Sequence, residues 1–194
     1  YYFLFVFAVL SAQTTPGEYT IKNLDINTKE SDFGAAFYGK DRIVFAAPSD
    51  EVKIIKKTWK ENGQAFLDLY TGIITEDRQV IDKKPLPGDV NSKFHEGGVV
   101  FSKDQNTVYF TANNYFQKEF LTDSAGVNML QVFKASKDIN GKWSEKVKLP
   151  FNNDNYSCGH PALSHDEKKL YFVSDMPGGY GLTDIYVVDI LEDG

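Results

Sequence analysis

The side chains best suited to chemistry in this 194-residue chain are few and scattered. His95 and Glu96 are neighbours, and Cys158 stands two residues before His160. A histidine beside a carboxylate can act as an acid–base pair or hold a metal. A thiol near a histidine can become a nucleophile if a base and an orienting group converge on it. The spacing supports neither. Adjacent strand residues point to opposite faces, and no His-Glu-x-x-His helix motif occurs. One cysteine excludes an internal disulfide framework and a multi-cysteine zinc site, so Cys158 reads as a small buried residue. No Gly-x-Ser-x-Gly elbow is present. Catalytic residues, cofactor sites and metal ligands are therefore not expected.

Three further groups have bland readings. Pro177-Gly178-Gly179-Tyr180-Gly181 lacks the Lys and the following helix of a phosphate loop, and is expected to turn a hairpin. Asp175, Asp184 and Asp189 offer hard oxygens, but not at the spacing of a calcium loop. They read as turn carboxylates, with calcium at one face of the fold as the alternative. Lys53, Lys56, Lys57 and Lys60 surround Trp59 in EVKIIKKTWKENG. This stretch is the best exposed candidate for a protein or glycan contact; the competing reading is that the lysines keep an extended hairpin soluble.

The elements that would carry these residues are β-strands. Hydrophobic residues make up 42% of the chain, enough for a core, and aromatic residues 14%, which suits pleated surfaces. The net charge of −6 disfavours binding to nucleic acid through its phosphates. Tyr1 to Leu10 is an uncharged apolar run followed by Ser11-Ala12. It reads as the remnant of a secretory signal peptide over residues 1–12, too short to span a bilayer. The mature chain would be exported and would have no transmembrane segment.

A repeat organises the remainder. FSKDQNTVYFTAN (101–113) and LSHDEKKLYFVSD (163–175) match at a spacing of 62 residues, and AFYGKDRIVFAA (36–47) is a looser copy whose turn is one residue shorter. Each reads as a hairpin, with Asp104 and Asp166 placed to bond their own backbone in the turn. The preceding segments also match, each with a Leu, a polar stretch containing Asn, and a glycine: Gly34, Gly97 and Gly159. Third strands follow at 66–72, 129–136 and 183–189, and fourth strands at 78–86 and 140–150, the last with Trp143 on an outer strand. Long insertions separate the second and third strands in the first two copies. Four antiparallel strands per repeat describe propeller blades. The expectation is an all-β, partial β-propeller of about two and a half blades, at roughly 19–90, 91–150 and 151–194, within a domain spanning 13–194. His95 and His160 would sit near the starts of the innermost strands as hydrogen-bonding connector residues, with His165 in a solvated turn.

YTIKNLDINTKESDFGAAFYGKDRIVFA, TWKENGQAFLDLY, FHEGGVVFSKDQNTVYFT and SCGHPALSHDEKKLYFVSDMPGGYGLTDIYVV resemble the OmpA-family outer-membrane proteins of Bacteroidetes that carry a WD-repeat-like, TolB-like propeller. The resemblance implies a periplasmic, outer-membrane-associated parent. Its peptidoglycan contact would lie in a C-terminal OmpA-like domain that this sequence does not contain, and some relatives serve type IX secretion. It implies a non-enzymatic scaffolding module with protein partners in the cell envelope. The alternative is the propeller domain of an exported peptidase or glycan-active enzyme whose catalytic domain lies elsewhere.

Overall fold

The structure is a computed structural model, and it describes residues 17, 19–50, 58–59 and 63–191. The signal-peptide reading of residues 1–12 and Lys53, Lys56, Lys57 and Lys60 lie outside the described residues. The rest is all-β and antiparallel. Strands β1 (Phe33–Tyr38), β2 (Arg42–Pro48), β3 (Leu67–Ile74) and β4 (Val80–Pro85) form one four-stranded sheet in chain order. Next come β5 (Glu96–Phe101) and β6 (Thr107–Asn113), a small hairpin of β7 (Tyr115–Phe116) and β8 (Glu119–Phe120), then β9 (Leu130–Ser136) and β10 (Val147–Lys148). The sheet order here is β10-β9-β6-β5. A three-stranded sheet of β11 (Cys158–Leu163), β12 (Lys169–Ser174) and β13 (Asp184–Asp189) follows.

The sheets stack face to face through apolar side chains. Val44 and Leu69 of the first sheet meet Phe110 and Phe133 of the second in one cluster, joined by Trp143. The opposite face of the second sheet packs Tyr109 and Val132 against Leu170 and Phe172 of the third. The second sheet is thus covered on both sides, which explains why β6 is buried at five consecutive positions. In β13 exposure alternates instead, because only one face is covered. Each buried aromatic contributes roughly 1.5–3 kcal/mol by leaving water.

The three units share local details. In the second and third, the first hairpin turns on a Ser-x-Asp motif. Ser102 and Ser164 donate from Oγ to Asp104 and Asp166, and those carboxylates accept from the backbone N–H of Asn106 and Lys168. These hydrogen bonds hold both carboxyls below the ordinary aspartate range. The first unit pairs Phe37 with Ile43, against Phe101 with Val108 in the second, so its turn is one residue shorter, as expected from the sequence.

Every first strand also carries a bulge at the same place, between Phe33 and Ala36, Gly97 and Val99, and Gly159 and Ala162. The left-handed residues within these bulges are Gly34 (φ 69°), Gly98 (φ 51°) and His160 (φ 54°). The equivalent positions are therefore Gly34, Gly98 and His160, not the glycine set Gly34, Gly97 and Gly159. A β-carbon on Gly34 would meet Gly98 N at 3.1 Å, and one on Gly98 would meet His160 Nδ1 at 3.7 Å, so the three bulges lie side by side.

A carboxamide closes each seam between sheets. Asn91 accepts from Leu69 N–H (2.7 Å) and donates to Leu69 C=O (3.0 Å), reaching back to β3 from the segment before β5. Asn152 does the same with Val132 of β9, at 3.0 and 2.7 Å. The residue before each asparagine anchors the following sheet: Val90 joins the cluster of Phe110, and Phe151 stacks on Phe172 at 4.2 Å.

Trp143 is not on an outer strand. It is 1% exposed, and its backbone bridges Gly88 and Lys137. The sequence pattern of a fourth strand ran through it, but only Val147–Lys148 pairs as a strand, and the indole fills the space between the first two sheets. Gly88 (φ 106°) makes room: a β-carbon there would lie 2.1 Å from Trp143 O.

Candidate functional site

Most of the residues singled out for chemistry are held in structural roles. Cys158 is fully buried, with its Sγ 3.6 Å from Ser174 Oγ, and burial raises its thiol pKa. This is the small buried residue that the sequence suggested. Asp175 accepts from Ser157 N–H, Asp184 accepts from Tyr180 and Gly181 N–H, and Asp189 pairs with Lys169. These three carboxylates therefore cap backbone or balance charge at separate places. Pro177 to Gly181 lies in the loop between β12 and β13, with Gly178 at φ 97°. Among the described residues, no group of three or more His, Cys, Asp or Glu could hold a metal ion.

Glu96 begins β5 and is 1% exposed. Ser92 donates to it from both Oγ (2.5 Å) and N–H (3.1 Å), and Lys146 Nζ stands 3.6 Å from Oε1. Burial pushes its carboxyl up to about 7, against the opposing pull of Lys146. Lys146, itself buried above the Phe133 ring, is shifted down by the same desolvation. The pair sits between sheet and connector and holds the connector in place. The first unit repeats half of it: Thr28 donates from Oγ1 and N–H to Asp32.

His95, His160 and Trp59 do come together, on the wall of one open cleft of about 1140 Å³. His95 immediately precedes β5. Its Nδ1 accepts from Leu67 N–H at 3.2 Å, and its backbone N–H donates to the Asn113 side chain at 3.0 Å. It is thus a connector hydrogen-bonder, as the sequence suggested. An accepting Nδ1 leaves the proton on Nε2, which is buried without a partner among the described residues. Burial lowers the imidazole pKa, so the ring is neutral at pH 7. His160 departs from its expected role: the strand holds it by its backbone N–H to Thr111 Oγ1 (2.9 Å), in the left-handed bulge, and the side chain is exposed.

The cleft wall is aromatic. Trp59 meets His95 edge-on at 5.3 Å, Phe66 meets both His95 (4.7 Å) and Phe94 (5.4 Å), and Phe94 packs on Phe120 at 4.4 Å. Trp59 is 38% and Phe120 46% exposed, so the ridge is open to solvent. Its residues come from both insertions and from the connector before β5. Phe66, Phe94 and Phe120 were not visible as site residues in the sequence; the signal that could have found them is their placement in or beside the insertions and the connector before β5. Chemically the cleft offers stacking area, a neutral imidazole and the carboxamides of Asn113 and Asn128; Glu96 also lines it beside His95 and His160, but its carboxyl is engaged by Ser92 and Lys146.

No helix among the described residues is long and apolar enough to cross a membrane. No protein-family model matches the chain, and no curated protein matches it at a significant level.

Proposed function

We propose that this chain is a non-catalytic protein-binding module whose three sheets are blades of a partial β-propeller, about two and a half in number, with the aromatic cleft as its recognition surface. The observation that carries the reading is the aromatic ridge in which exposed Trp59 and Phe120, both on insertions, flank the half-buried His95 and Phe94 of the connector. Exposed aromatic residues beside adaptable amides are the composition of protein-contact surfaces. The blade reading draws support from the recurrence of strand order, bulge and carboxamide seam from unit to unit. Export rests on the apolar run Tyr1 to Leu10. A periplasmic place beside the outer membrane, a parent linked to peptidoglycan and partners in a secretion complex rest on the sequence resemblance.

The test is a pull-down from solubilised cell envelope, with the parent chain and the Trp59→Ala/Phe120→Ala double variant compared side by side. Envelope proteins retained by the parent and lost by the variant are the expected result. Equal recovery by both, with the variant folded, sets the cleft aside.

A further inference from the structure

The aromatic cleft has a polar neighbour. A second cavity of about 450 Å³ adjoins it, walled by the connector before β5, the β7–β8 turn and the segment leading into β10. The connector passes from one cavity to the other between Lys93 and Phe94, and the hairpin does so between Lys118 and Phe120. Phe94 packs on Tyr115 at 5.1 Å and on Phe120 at 4.4 Å, and forms the saddle between the two. Glu96 lines the cleft and Lys146 the second cavity, so their ion pair lies in the wall that both share.

The charges of the second cavity are sorted by position. Lys93 immediately precedes Phe94, and Lys118 stands two residues before Phe120. Both lysines are exposed, and neither has a partner among the described residues. Asp89 and Glu145 stand at the far side, by Trp143: Asp89 N–H donates to Trp143 C=O at 3.1 Å, and Glu145 follows Trp143 by two residues. The basic residues are thus on the cleft side and the acidic ones away from it. Lys118 also holds a strained position. Gln117 (φ 49°) and Lys118 (φ 68°) are both left-handed, in a two-residue turn of the kind that favours Asn-Gly. Strain of this sort is kept where a side chain has work to do at a binding site. The cleft itself differs. Among its described lining residues Glu96 is the one carboxylate, engaged by Ser92 and Lys146, and there is no lysine or arginine.

We infer that the partner is a peptide segment of two parts: apolar side chains that fill the aromatic cleft, and beside them an Asp or Glu whose carboxylate crosses Phe94 to meet Lys93 and Lys118. This rests on the cleft reading above and adds the partner's chemistry to it. The occupant follows from charge complementarity. The two lysines are the first unpaired charges that a segment leaving the cleft over Phe94 meets, in a chain whose net charge of −6 otherwise disfavours acidic partners. Apolar burial supplies most of the affinity, and the exposed carboxylate–lysine contact fixes the direction and register of the segment.

Panning a random peptide library displayed on phage against the full chain tests it, with Lys93→Gln/Lys118→Gln and Trp59→Ala/Phe120→Ala panned in parallel. The expected parent consensus is aromatic or aliphatic residues flanked on one side by Asp or Glu. The lysine variant should keep the apolar part and lose the acidic preference. By calorimetric titration the best peptide should bind the parent about five-fold more tightly than its analogue with the acid replaced by the amide, and the lysine variant should not distinguish the two. Lys93 and Lys118 are exposed and unpaired among the described residues, so that variant keeps the parent melting temperature. Apolar enrichment without an acid, or an acidic preference that survives loss of both lysines, overturns this inference and leaves the cleft reading standing. A Trp59→Ala/Phe120→Ala consensus equal to that of the parent, or a parent that enriches nothing, overturns both.

Discussion

Val132 and Ile185 occupy the same register in neighbouring sheets, and they differ as far as two apolar residues can: one is sealed from water, the other 76% exposed. Their own strands do not explain it. LQVFKAS and DIYVVD are both β-branched, apolar-rich strands of six or seven residues. The difference is the arrival of Asn152 and Phe151 over one and of nothing described over the other. Burial in this fold is thus a property of the seam between units, conferred by the unit that follows.

The largest effect that would sharpen this contrast is at Gly88. Gly88→Ala drives a methyl group into the Trp143 backbone and imposes a left-handed φ on an L-residue, so about 3 kcal/mol or more of stability should be lost in urea titration. A loss under about 1 kcal/mol would mean that the first seam can open without cost.

The asparagines come next. Asn152→Ala strands the N–H and C=O of buried Val132 and should cost roughly 2–4 kcal/mol, while Asn91→Ala strands the N–H of buried Leu69, whose C=O keeps the Leu86 N–H, and should cost roughly 1–3 kcal/mol. Asn27→Ala, at an exposed side chain without a partner among the described residues, should lie within about 0.5 kcal/mol of the parent. Equal losses at all three positions would erase the distinction between closed and open seams.

Glu96 supplies a pH signature confined to the closed part of the molecule. Its carboxyl is held above its unfolded value of 4.5, up to about 7, by burial. The folded state therefore binds this proton more tightly than the unfolded state. Its contribution is greatest at acid pH and declines as pH rises from about 4.5 to about 7, by at most about 1.4 kcal/mol per unit. Asp104 and Asp166 are shifted the other way and offset this in the raw profile. The stability difference between parent and Glu96→Gln isolates the term: it should shrink toward pH 7, and a constant difference would refute the assignment.

The smallest effect is a gain. His160 holds the left-handed bulge position that Gly34 and Gly98 fill in the other units. His160→Gly should stabilise the chain by about 1 kcal/mol as measured by denaturant midpoint. A loss would show that the imidazole makes a contact worth more than the backbone strain.

Much of the framework could be read from residue order. The hairpins, the Asp104 and Asp166 turns, the shorter first turn and the positions of the insertions all follow from local chemistry, which acts within a few residues. Three features did not. The glycine alignment slipped by one at His160, because Gly97 and Gly159 each stand one place before the bulge position and mimic its signal. Trp143 lay in a strand-like stretch, and its burial depends on Gly88, which approaches from the connector between β4 and β5. Phe66, Phe94 and Phe120 come from two insertions and a connector and meet only once the register of these segments is set, which no local pattern records. The asparagines were noticed as a recurring residue, but their bonds reach about twenty residues upstream, to a strand whose register had to be known first.

The direction of the clasp has a consequence for how the chain matures. Each asparagine belongs to the later unit and secures the earlier one, so a nascent chain leaving the ribosome completes every sheet one unit late. The newest sheet is always the unsecured one, and its edge is the moment of greatest exposure to misassembly. The same polarity makes the units interchangeable: removing or duplicating a whole one leaves a matched asparagine and acceptor at the new junction, so the length of the array can change by whole units without redesign of the seam.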